Sequence, residues 1–98
     1  MTQKHPTRTE ILTAALKLAV THGYRNITRD QIAVASGVPP SLISYHLGTM
    51  IELRRHVMRE AIRLRNHTVI VQGLAVADRH ARKCPIELQR EAMQTVLG

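Results

Sequence analysis

The chain has 98 residues and carries 14 Lys and Arg against seven Asp and Glu, a formal charge of +7 with histidine neutral. A chain this short supports one small domain that gains stability from association, and a field of that sign favours polyanionic partners. Cys84 is the only cysteine, so an internal disulfide is excluded; the opening "MTQKHPTRTE" has no apolar leader and no stretch reaches the ~18 apolar residues of a membrane span, which leads to the expectation of a cytoplasmic protein without membrane contact.

With no Phe or Trp, and Tyr24 and Tyr45 as the only aromatic residues, the core has to be built from Leu, Ile, Val, Ala and Met. Helix starts recur along the chain. Thr7 is followed by Glu10, Thr28 by Gln31 and Thr49 by Glu52; each pair has the spacing of a capping box, in which the Thr hydroxyl and the acid or amide satisfy each other's backbone amides. The first of these leads into "RTEILTAALKLAVTHGY", where Leu12, Leu16 and Ala19 share a face with Ile11 and Ala15 beside them, and where Gly23 offers a stop.

The second run, "RDQIAVAS", spans about two turns and ends at Gly37. A third helix has to fit between Pro40 and Leu47, because Gly48 follows; Pro40 is acceptable in a first turn, where its missing N–H has no partner in any case. The fourth, "MIELRRHVMREAIRLRN", repeats Met50, Leu53, Val57, Ala61 and Leu64 at the spacing of a buried stripe. Residues 69–77, "VIVQGLAVA", are apolar almost all round. Their β-branched cluster is compatible with a strand, but no second strand is available to pair with it, so a helix is expected. Residues 78–84 read as a polar connector. Pro85 then opens a last helix that aligns Leu88, Ala92 and Val96, with Met93 and Leu97 alongside. The pattern predicts an all-α bundle of five or six helices.

The short second and third helices, joined at Gly37-Val38-Pro39, have the size of a helix-turn-helix. At about 100° per residue, with Ile43 directed into the core, Leu47 falls near the same side while Ser41 and Tyr45 fall opposite, flanked by Leu42 and Ser44. A solvated face usually carries Lys, Glu or Gln; here no residue from Val38 to Met50 bears a formal charge. Hydroxyls and a small apolar side chain are what a helix reading base edges and thymine methyls can use. A buried connector helix would also lack charge. The arginines on either side, Arg25 and Arg29 before and Arg54 and Arg55 after, favour the first reading.

The stretch "ILTAALKLAVTHGYRNITRDQIAVASGVPPSLISYHLGTMIEL", residues 11–53, resembles the DNA-binding domain of TetR-family repressors. The shared features are a helix ending in Gly-Tyr, then Ile-Thr-x-x-x-Ile-Ala-x-x-x-Gly-Val, then a short recognition helix ending in His and an apolar residue. The resemblance implies that Thr28 caps the second helix and touches a phosphate, with Arg29 near the backbone. It places Pro39, Pro40, Ser41, Leu42, Ser44 and Tyr45 toward the major groove. Tyr45 and His46 would contact phosphates or base edges, and Thr49 would start a helix whose amides meet a phosphate; Arg54 and Arg55 complete the expected set. The chain departs from the family pattern at Leu47, where an aromatic is usual, at Met50, where a lysine is common, at Ser44, with its tyrosine one residue later, and at the paired prolines.

The expected organisation is a DNA-binding region over residues 1–66 and a helical dimerisation region over residues 67–98. About 30 residues follow the fourth helix, too few to enclose a drug-sized pocket and enough to pair with a second copy. Val69, Ile70, Leu74, Leu88, Met93, Val96 and Leu97 are the expected dimer contacts. The resulting expectation is a homodimeric repressor on a palindromic double-stranded DNA operator, without a small-molecule ligand, of a compact kind suited to a plasmid or phage. Two other classes stand beside it, a helical protein-interaction module and the N-terminal part of a ligand-responsive regulator. No cofactor, metal or enzymatic activity is expected. The six histidines lack the i, i+4 pairing of a helical zinc site, and neither a phosphate loop nor a catalytic triad is legible.

Overall fold

A computed structural model of the chain describes residues 7–98. Residues 1–6, which carry most of the polar opening read above, lie outside the described residues. The elements run α1 (Arg8–His22), α2 (Arg29–Ser36), α3 (Pro40–Leu47), α4 (Met50–Arg63), α5 (His67–Ala75), α6 (Arg79–Lys83) and α7 (Ile86–Leu97), with no strand among the described residues. The all-α expectation holds, and the β-branched stretch in 69–77 is helical as expected.

All three capping boxes form. The Thr7 hydroxyl accepts from the Glu10 amide at 3.3 Å while the Glu10 carboxylate accepts from the Thr7 amide at 3.2 Å. Thr28 with Gln31 and Thr49 with Glu52 repeat the arrangement. Such a cap contributes about 1 kcal/mol, so the starts of α1, α2 and α4 are fixed locally before any packing acts.

The connector expected at 78–84 is itself helical over Arg79–Lys83. Its start is set by Asp78, whose Oδ1 accepts from the amides of His80 at 2.9 Å and Ala81 at 3.0 Å. Ala81 is fully buried, so one small apolar residue and one cap convert a polar segment into a turn of helix. The count is therefore seven among the described residues, not five or six.

Two clusters make up the interior. The larger joins the inner face of α1 to Ile32 and Ala33 of α2, Ile43 and Leu47 of α3, and Leu53, Val57, Met58 and Ala61 of α4, and it also takes in Val69 and Ala81. The smaller joins Ile70, Cys84, Leu88 and Ala92, with Ile62 and Leu74 packed against both. Helix α5 thus belongs to each cluster. Leu64, expected in the α4 stripe, is 49% exposed because the helix ends at Arg63 and the chain turns through Arg65 in a left-handed conformation.

Of the expected dimer contacts, three lie inside the bundle. Val69 and Ile70 are completely buried and Leu88 is 3% exposed, so their apolar surface is already covered by the chain itself. Leu74 is half-buried against both clusters. Met93, Val96 and Leu97 remain exposed.

Candidate nucleic-acid interface

The turn between α2 and α3 is built by Gly37, which adopts φ 74° and ψ 22°. That left-handed conformation is one that a side chain disfavours. It lets the amides of Gly37 and Val38 both donate to the Ala33 carbonyl, at 2.9 and 3.2 Å, closing the end of α2. Val38 then tucks inward at 6% exposure. Pro39 is extended and its carbonyl accepts from Leu42 at 2.9 Å, while Pro40 occupies the first turn of α3. No side chain caps α3, so its first amides have no side-chain partner at the end where the helix dipole is positive.

Ile43 and Leu47 are buried to 1% exposure or less and hold α3 against α1, α2 and α4. Burying each contributes about 1.5–3 kcal/mol, which fixes the helix about its axis and so decides what looks outward. Tyr45 is 82% exposed. Pro39, Pro40 and Ser41 are exposed as well, Ser44 and His46 are half-buried, and the Tyr45 and His46 rings meet edge to face at 5.2 Å. Leu42 is half-buried and packs against the larger cluster, so only part of its side chain is turned outward.

Beside this face, the starts of α2, α3 and α4 converge on one hollow of about 460 Å³, lined by Arg25, Thr28, Arg29, Pro40, Met50 and Arg54 among others. Three positive helix ends and three guanidinium groups therefore share one concavity. The Arg29 guanidinium reaches the Gly48 carbonyl at 3.4 Å and so ties the start of α2 to the α3–α4 turn. The Nε atoms of Arg29 and Arg54 are buried without an acceptor among the described residues, an arrangement that costs free energy unless something outside the protein accepts from them. Thr49 is exposed at the start of α4, and Arg55 is exposed one position beyond Arg54. Arg25, counted in the sequence only as flanking charge, proves to be part of the hollow. Proximity in space, not periodicity, identifies it.

A buried link holds the hollow in place from behind. Tyr24 is 4% exposed. Its hydroxyl donates to Asp78 Oδ2 at 3.0 Å, its amide donates to Gln72 Oε1 at 2.9 Å, and Gln72 Nε2 donates to the Ala19 carbonyl at 3.0 Å. Burial, together with the hydrogen bond to the Asp78 carboxylate, pushes the Tyr24 phenol up to about 12. The loop carrying Arg25 is in this way anchored to α5 and α6.

Residues 11–57 match the model of a family described as bacterial regulatory proteins, tetR family. No curated protein and no solved structure matches the chain. Among the described residues, no helix is long and apolar enough to cross a membrane.

Proposed function

We propose, for a chain that belongs to the tetR family of bacterial regulatory proteins through residues 11–57 and is thereby a DNA-binding transcription regulator, that it acts as a homodimeric repressor on a palindromic operator without a small-molecule inducer. The observation that carries the reading is the uncharged outer face of α3 next to a basic hollow where three helix starts meet. In this reading Arg25, Arg29, Arg54, Thr28 and Thr49 hold phosphates, with Arg55 and His46 at the edge of the same contact. Pro39, Pro40, Ser41, Leu42, Ser44 and Tyr45 enter the major groove. Phosphate contacts supply affinity and register, whereas base contacts supply sequence choice.

Residues 1–66 would then serve as the DNA-binding region and residues 67–98 as the pairing region. Ile86, Met93 and Leu97 fall within about 40° of one another around α7, opposite the buried Leu88 and Ala92, and are 53%, 46% and 69% exposed. This stripe, with Val96 beside it, suits a two-fold contact in which the same patch serves both copies. The meeting of α4, α5 and α6 is closely packed: a Cβ at Gly73 would lie 2.6 Å from Met58 Cε and 2.8 Å from Ala81 Cβ. Side chains fill the space there. The family is one of DNA-binding regulators and not of enzymes.

Substitution on the outer face of α3 tests the reading. Ser41→Ala and Tyr45→Ala are expected to lower affinity for a duplex enriched from random DNA by about 1–3 kcal/mol for each base edge no longer read, with little change in affinity for unselected duplex. An equal fall on both duplexes would assign these residues to positioning and contradict their role in sequence choice.

A further inference from the structure

The hollow described above accounts for Arg25, Arg29 and Arg54, with Arg55 at its edge, but leaves further cations unexplained. On α4, Arg55 and Arg59 are one turn apart and exposed; on α6, Arg79, Arg82 and Lys83 are exposed. Arg55, Arg59, Arg79, His80 and Asp78 surround one depression of about 270 Å³, and Arg79, Arg82 and Lys83 surround an adjoining one of about 420 Å³. Through the shared Arg79 the five cations form one continuous surface.

Little opposes their charge. The ion pairs among the described residues are Arg63 with Glu60 and Arg65 with Glu91, with His67 Nε2 3.4 Å from Glu91, and none involves this group. Asp78, the carboxylate lining that surface, is engaged elsewhere: its Oδ1 accepts from two backbone amides and its Oδ2 from the Tyr24 hydroxyl. His80 agrees with a net positive field. Burial holds its imidazole below the ordinary range, and Arg59, Arg55 and Lys83 push it further down against an opposing pull from Asp78.

The location is as informative as the charge. Asp78 joins α6 to Tyr24, whose chain neighbour Arg25 lines the basic hollow. Arg54 lines the hollow and Arg55, the next residue of α4, lines the depression, so the two basic surfaces adjoin on α4. Clustered like charges repel one another in the free protein, and a polyanion lying along them relieves that repulsion and gains from counterion release.

We infer that Arg55, Arg59, Arg79, Arg82 and Lys83 form a second phosphate-contacting surface that grips the DNA backbone flanking the site read by α3. The inference rests on the proposed function and adds to it a longer footprint than α3 alone would give.

The test uses the full chain and a triple variant, Arg79→Gln, Arg82→Gln and Lys83→Gln, whose side chains are exposed and outside the proposed base-reading face. Binding is measured against a motif enriched from random DNA, on a duplex trimmed to that motif and on one extended by about 10 base pairs on each side. The variant is expected to bind the extended duplex roughly tenfold to a hundredfold more weakly at physiological salt. Its log-affinity against log-salt slope should be shallower by about 0.9 for each phosphate it no longer neutralises. Binding to the trimmed duplex should not change, and the melting temperature should not fall. Unchanged binding to the extended duplex, or an equal loss on both, would overturn the surface while leaving the repressor reading intact. Loss confined to vesicles of anionic phospholipid would overturn it in favour of a membrane contact. Failure of the unmodified chain to bind any duplex in a salt-dependent way would overturn both.

Discussion

Tyr45 and Tyr24 divide the work of the aromatic residues. Tyr45 is 82% exposed on α3 and Tyr24 is 4% exposed behind the basic hollow, so one is free to meet a partner while the other fixes the loop that carries Arg25. Helical spacing was enough to place Ser41 and Tyr45 outward and Ile43 and Leu47 inward. It was not enough for Arg25, which meets Pro40, Met50 and Arg54 only in space, or for Gln72 and Asp78, which bond to Tyr24 about 50 positions away and leave no periodic trace. The histidines carry a prediction at this scale. The Arg8 guanidinium donates to His56 Nδ1 at 2.8 Å, which requires that nitrogen to be unprotonated. Burial lowers the His56 pKa from 6.5, with Arg8 and Arg59 acting in the same direction, and burial also lowers that of His80. For a base with a depressed folded-state pKa, stability is present above the unfolded pKa and is lost as pH falls through the folded one. Thermal unfolding should therefore show a loss of stability that begins below pH 6.5, before carboxylates with ordinary pKa values are titrated. His56→Gln should reduce that slope, and an unchanged slope in both this variant and His80→Gln would contradict the assignment.

At the scale of elements, α1, α2 and α4 were legible because each begins with a side-chain cap spelled out in four residues. Helix α6 was not, because its stability comes from one aspartate cap and one buried alanine in an otherwise charged segment. The burial of Val69, Ile70 and Leu88 was not legible for a related reason. Residues 69–77 are apolar nearly all round, and the sequence did not reveal that α7 folds back to cover Ile70. The close meeting of α4, α5 and α6 at Gly73 gives a direct test. A Cβ there would sit 2.8 Å from Ala81 Cβ, which has no rotamer with which to withdraw. Gly73→Ala should destabilise the fold by about 1–3 kcal/mol through overpacking, even though alanine favours a helix more than glycine does. A rise in melting temperature would show that α6 yields freely and that the packing is looser than described.

The described residues measure 46 × 26 × 20 Å, with the larger cluster under α3 and the smaller one under α7. The outer stripe of α7, with Ile86, Met93 and Leu97, is left exposed, as are Val34 on α2 and Ile51 on α4; in the proposed reading the α7 stripe meets a second copy. Replacing Met93 and Leu97 together by Asp should convert a sedimenting dimer to a folded monomer and weaken binding to a two-fold site far more than to one half-site. A dimer that survives the double substitution would move the interface away from α7.

The central claim is that two copies read a symmetric sequence through α3. Selection of bound sequences from random duplex DNA by the full chain tests it most directly. The expected outcome is enrichment of an inverted repeat whose half-sites lie on one face of the duplex, with centres separated by about 10 base pairs or a multiple of it. Enrichment of a single unrepeated motif would contradict the homodimer, and retention of DNA without enrichment of any motif would contradict sequence reading by α3.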